Sequence, residues 1–146
     1  MSRWISAELR QVVAARADFL CEYCLVAEEN TFYGCEVDHI ISLKHGGASD
    51  ADNLAYACAL CNRYKGSDIG SISWATGEFR RFFNPRTDRW AEHFHLEQEF
   101  IKPLTLIGEV TARILEFNNS ARLHEREEMI LFGKYPNEAA LARMTR

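Results

Sequence analysis

The sequence predicts an α+β fold organised around a strand, loop, strand and helix in that order, and three observations carry the prediction. A β-branched run, Glu36-Val-Asp-His-Ile-Ile-Ser-Leu43, breaks at Lys44-His-Gly-Gly47, as a strand entering a loop does. Two Cys-x-x-Cys pairs, Cys21/Cys24 and Cys58/Cys61, bracket that run with 33 residues between them. The second pair opens a stretch from Ala59 to about Ser67 that suits a short helix, with Gly66 and Gly70 available to end it.

The remaining elements follow in chain order. Ser6 can cap a helix over Ala7–Ala17, in which Leu9, Val12, Val13 and Arg16 recur near the helical period and which leads directly into Cys21. A second short strand is expected near Leu54–Ala57. After a turn-rich stretch ending in Asn84-Pro85, Trp90–Leu96 and Glu99–Lys102 are expected to pair as a hairpin, followed by helices near Leu106–Phe117 and Ser120–Leu131. The 146 residues suit one compact unit, with a core at 18–70 and an α/β extension at 71–146 that packs on it.

Composition narrows the class. Hydrophobic residues make up 47%, which is ordinary for a soluble globular chain and argues against disorder. The N-terminus from Met1 to Glu8 lacks an apolar leader, and no stretch approaches the roughly 18 uninterrupted apolar residues of a membrane span, so a cytoplasmic protein is expected. The net charge of -4 has the wrong sign for holding nucleic acid by bulk electrostatics. The acidity is concentrated in residues 1–70, where a bound cation would offset part of it. Arg80, Arg81, Arg86 and Arg89 cluster around Phe79, Phe82, Phe83 and Trp90; aromatic packing with solvated arginines and a nucleic-acid contact surface are both open readings of that stretch.

Five cysteines are an odd number, and two Cys-x-x-Cys pairs are metal spacing more than disulfide spacing. Four thiolates from Cys21, Cys24, Cys58 and Cys61 would hold Zn2+ in a closed, structural site, stapling the segment before the first strand to the start of the helix. A redox pair would call for a βαβ context that the sequence lacks. Cys35 stands alone and reads as a small buried hydrophobe.

Between and after the cysteine pairs lie Val37-Asp38-His39-Ile40-Ile41, Gly46-Gly47, Asp52-Asn53-Leu54 and Asn62-Arg63-Tyr64-Lys65-Gly66. In type and order these residues resemble the HNH endonuclease family, whose ββα-metal or His-Me finger carries Asp-His on its first strand, Asn in the connecting loop and Asn or His on the helix. Residues 18–70 are similar to the four-cysteine subgroup, including its Cys-Asn-x-x-Lys-Gly signature at Cys61–Gly66; Ser42 stands where relatives often carry proline. The resemblance implies endonucleolytic cleavage of DNA to 5′-phosphate and 3′-hydroxyl ends, with RNA left open as substrate.

Residue chemistry assigns the same roles. Asp38 supplies an anionic oxygen and Asn62 an amide oxygen for a catalytic Mg2+ or Mn2+. His39, from a residue type with a pKa near 6.5, is the general base. Asn53, as its family counterpart does, would hold either the His39 ring or the loop backbone. Lys65, three residues after Asn62, is expected on the same helical face to contact phosphate, with Arg63 as a second candidate. Adjacent strand residues point to opposite faces, so for Asp38 and His39 to approach one phosphate the strand must twist or end there, or the phosphate must sit over its edge. His45 reads as a loop residue, His93 and His95 as a solvated hairpin face, and His124 has no role. The rival is a zinc-stabilised nucleic-acid or protein binding module without catalysis, which has no need for His39, Asp38 and Asn62 together.

Overall fold

The computed structural model describes residues 4–146; Met1–Arg3, part of the N-terminus expected to lack a leader, lie outside the described residues. At its centre, strands β1 (Cys35–His39) and β2 (Leu54–Cys58) pair antiparallel, with Cys35 opposite Cys58 and His39 opposite Leu54. Helix α2 (Ala59–Lys65) follows without a linker. It starts where the Cys58 sulfur accepts the Cys61 amide at 3.4 Å, and it ends at Gly66, whose φ of 54 takes the left-handed half of the map. The predicted strand, loop, strand, helix order therefore holds, and with it the α+β class.

The first strand is shorter than the 36–43 predicted. Ile40 still donates its amide to the Asn53 carbonyl, but from Ile41 the backbone wraps around the Asn53 side chain. That amide accepts from Ile41 N at 2.9 Å and donates to the carbonyls of Ile41 (2.9 Å) and Ala48 (2.8 Å). Three local hydrogen bonds outweigh the extended preference of Ile40-Ile41, and Leu43–His45 forms a 3-10 turn instead. Gly47 is forced here: a Cβ would sit 1.7 Å from the Ile41 carbonyl oxygen and 2.7 Å from Asn53 Nδ2.

Helix α1 (Ala7–Arg16), capped by Ser6 as predicted, lies on one face of the hairpin, where Ile5, Val13, Ala14 and Ala17 pack with Leu54 and Tyr56. The alternate residues Ala55 and Ala57 join a larger core with Leu20, Tyr23, Leu25, Phe82, Phe83, Trp90, Phe94 and Phe117. The two faces of one hairpin thus bind the N-terminal helix and the extension.

The extension departs from expectation in several places. The turn-rich stretch also contains a hairpin that was not expected, β3 (Gly70–Ile72) with β4 (Phe79–Arg81); three-residue strands are too short to show alternation. The predicted second hairpin exists from Phe94 onward, as β5 (Phe94–Glu97) paired with β6 (Phe100–Pro103). Trp90–His93 is instead a single helical turn, α3, that turns Trp90 and His93 into the core. His93 is 8% exposed, its Nδ1 is 2.6 Å from Thr105 Oγ1 and its ring packs edge-on against Phe83. This corrects its reading as part of a solvated face, which holds for His95 alone.

Helix α4 (Leu106–Ile114) stops short of Phe117 because Glu116 adopts a positive φ. Helix α5 (Ser120–Leu131) spans the predicted residues. Helix α6 (Glu138–Thr145) was not anticipated, although Asn137 caps it through a bond from Ala140 N. The arginine and aromatic stretch packs only in part, since Phe79, Arg81 and Arg89 stay exposed. Phe82, Phe83 and Trp90 are buried, and Arg80, Arg81, Arg86 and Arg89 pair with Glu78, Asp88, Glu22 and Glu92. Among the described residues no helix is long and apolar enough to cross a membrane.

Candidate active site and four-cysteine cluster

The four predicted cysteines converge: the sulfurs of Cys21, Cys24, Cys58 and Cys61 all lie within 4.8 Å of one another and are buried. A tetrahedral zinc with Zn–S bonds of about 2.3 Å has sulfur–sulfur edges of about 3.8 Å, and Cys24 Sγ and Cys58 Sγ are 3.9 Å apart. Each pair also turns a backbone amide onto its own first sulfur, Cys24 N to Cys21 at 3.5 Å and Cys61 N to Cys58 at 3.4 Å. Such donors favour thiolates over thiols. The donor set and its spacing fit zinc. The fifth cysteine, Cys35, is outside the cluster and half-buried, and burial pushes its thiol up.

The extension grips this cluster from behind. Trp90 Nε1 donates to the Tyr23 carbonyl at 2.8 Å and the Tyr135 hydroxyl to the Cys24 carbonyl at 2.9 Å, so two carbonyls of the first knuckle are tied by residues far away in sequence.

On β1 the predicted catalytic pair parts as strand alternation requires. Asp38 turns towards α2 and is 5% exposed. Its Oδ2 accepts from the Tyr23 hydroxyl at 2.9 Å and lies 3.1 Å from Lys65 Nζ. Burial pushes the Asp38 carboxyl up, and Lys65 and Tyr23 pull it only part of the way back. Lys65 itself, expected to reach phosphate, is 1% exposed and also donates to the His39 carbonyl at 2.9 Å. The reason is helical geometry. Lys65 lies four residues after Cys61, and these two form the buried face of α2, whereas Asn62 sits a step around the helix and is half-buried. Arg63 is exposed.

His39 is the last residue of β1 and turns towards the loop, where its Nε2 lies 2.9 Å from Ser49 Oγ. Partial burial lowers its pKa, outweighing the raising effect of Asp38, so the ring favours the neutral form. Asn53 does not hold the ring: of the two options it takes the loop backbone, through the three bonds described above. Asn62 Nδ2 donates to Glu36 Oε2 at 2.7 Å. With its nitrogen engaged, the amide has its oxygen as the remaining ligand atom.

Three participants were not singled out from the sequence. Glu36 lies two residues before Asp38 and so shares its strand face, a signal available from periodicity. Ser49 and Tyr23 carried no such signal, since each meets its partner through the fold. Towards a hard divalent cation the site presents oxygens from Asn62, Glu36 and Asp38, of which Glu36 is exposed and Asp38 is already paired with Lys65. Oxygen donors suit Mg2+ or Mn2+.

Residues 21–68 match the model of the HNH endonuclease family. No curated protein and no solved structure matches the chain. The matched span runs from the first knuckle through β1, the clamped loop and β2 to just past the end of α2, so the similarity to that family is confined to these 48 of the 146 residues.

Proposed function

We propose that the chain is a metal-dependent endonuclease that hydrolyses phosphodiester bonds of DNA. The observation that carries this reading is the placement of a half-exposed His39, held through Nε2 by Ser49, at the end of the strand that faces Asn62. A divalent cation, when bound, supplies charge neutralisation to the phosphate and the leaving oxygen. Asp38 and Asn62 would hold it. His39 takes the proton of the attacking water as the new O–P bond forms and the P–O3′ bond breaks. Tyr23 and Lys65 fix Asp38, Asn53 fixes the loop under His39, and Arg63 contacts a phosphate. Zinc on the four cysteines is structural, the whole of residues 1–146 acts as one unit, and zinc thiolates suit the reducing cytoplasm.

The test is incubation of supercoiled plasmid, and of a single-stranded RNA, with the zinc-loaded protein plus Mg2+ or Mn2+, beside a metal-free control and His39→Ala. Nicking or linearisation that needs added cation and falls roughly 10²–10⁴-fold in the variant is the expected result. If the folded, zinc-loaded protein cuts neither nucleic acid with either cation, the non-catalytic binding module replaces the nuclease.

A further inference from the structure

Helix α5 buries two residues, and both are arginines: Arg122 at 4% and Arg126 at 2% exposure. A helix laid on a neutral core turns an apolar stripe inward; this one turns in two guanidinium groups, four residues apart on one face. Arg126 is satisfied by main-chain and amide oxygens, at 2.8 Å from the Glu99 carbonyl and 3.0 Å from Asn118 Oδ1. Arg122 is anchored in the same way on one side, with Nη1 2.8 Å from the Leu115 carbonyl. Its second terminal nitrogen, Nη2, lies 3.2 Å from Cys61 Sγ and 3.8 Å from Cys58 Sγ.

Desolvating a buried guanidinium costs several kcal/mol, which neutral acceptors offset in part, as at Arg126, and a counter-charge offsets further. Four neutral thiols would supply none. Four thiolates around one divalent ion leave a net charge of about -2 at that place. We propose that Arg122 is the counter-ion of the metal-loaded four-cysteine cluster, donating N–H···S hydrogen bonds to Cys61 and Cys58, so that the extension holds the metal from outside the domain that ligates it. The proposal rests on the cluster holding metal and is independent of cleavage.

Partners of this kind that sit behind the ligands change metal affinity by roughly 10–100-fold when removed. The experiment is a competition between the full-length protein and a chromophoric chelator for Zn2+, with Co2+ substitution read in parallel through its sulfur-to-metal charge-transfer band. R122Q is expected to lose zinc affinity by roughly 10–100-fold and to shift that band, because the thiolates lose an N–H donor. R122K, which keeps the charge and loses the fork, falls between. N119A removes the cap of α5, which accepts the Arg122 amide at 2.9 Å, and leaves the guanidinium in place; it is expected to lower Tm while zinc affinity stays near wild type.

R122Q that folds with unchanged affinity and band overturns the proposal, as does N119A losing as much zinc as R122Q, which would make helix packing the cause. If R122Q does not fold, the wild type loaded with 113Cd decides. An exchange-protected Arg122 guanidinium proton coupled to the cadmium is expected, and its absence overturns the assignment. Failure of the zinc reading shows separately, as a wild type that yields no charge-transfer band at all.

Discussion

The two ends of the central hairpin are opposites. At the Cys35–Cys58 end lies a cluster whose four sulfurs are buried and met by backbone amides and a guanidinium. At the His39–Leu54 end, four residues along each strand, His39 and its partner Ser49 are half-exposed. A metal that serves the fold is enclosed by protein on every side, whereas a site that takes substrate leaves coordination and hydrogen-bonding capacity unspent. Beside His39, Asp38 and its partner Lys65 are as buried as the cysteines. The hairpin grades from one regime to the other within five residues.

Breaking the closed end has the largest expected effect. Cys58 belongs to the four-cysteine cluster, caps α2 and lies beneath Arg122, so with zinc bound there Cys58→Ser should abolish the native fold, as should a strong chelator on the wild type. Structural zinc contributes roughly 10–16 kcal/mol in small domains, comparable to the about 5–15 kcal/mol by which whole domains are stable. Circular dichroism and thermal melts check it, and a zinc-free variant with an unchanged melt would show that the hydrophobic core alone carries the fold.

The buried pair beside His39 comes next. Lys65→Met removes the partner of a buried carboxylate, and breaking such a pair costs about 3–5 kcal/mol. Urea denaturation measures the loss. A cost near zero would move Asp38 and Lys65 from the closed regime to the open one.

The smallest effect belongs to the exposed end. Arg63→Ala should leave the melt unchanged and reduce the slope of log K against log salt for DNA binding by about 1, the signature of one lost phosphate contact. Fluorescence anisotropy over a salt series reads it, and an unaltered slope would remove Arg63 from the contact surface.

What was legible in the sequence follows from the range of the forces involved. The knuckles, the hairpin, α2 and the loop around Gly46-Gly47 are specified by contiguous residues, so spacing and turn chemistry revealed them. The early end of β1 was hidden because the Asn53 amide, twelve residues from Ile41, overrides a local β preference. Lys65 was misplaced on the Asn62 face because i+3 and i+4 neighbours both share a helical side, and the i+4 relation to Cys61 wins. The arginines at 80–89 had two readings because their carboxylate partners include Glu22, 64 residues from Arg86. Tyr23, Ser49 and Arg122 act through partners that only the folded chain brings close.

The Arg122 contact also bears on the order in which the molecule is made. A ribosome delivers Cys61 sixty-one residues before Arg122 and Cys24 well over a hundred before Tyr135. A growing chain that binds zinc as proposed would gather its ion while the balancing charge has yet to be translated. Until then the captured metal is held by its ligands alone and can still be surrendered. Completion of α5 closes that interval, so a polypeptide cut short before residue 122 keeps every ligand and every residue assigned to chemistry, yet should exchange its zinc as readily as a nascent one.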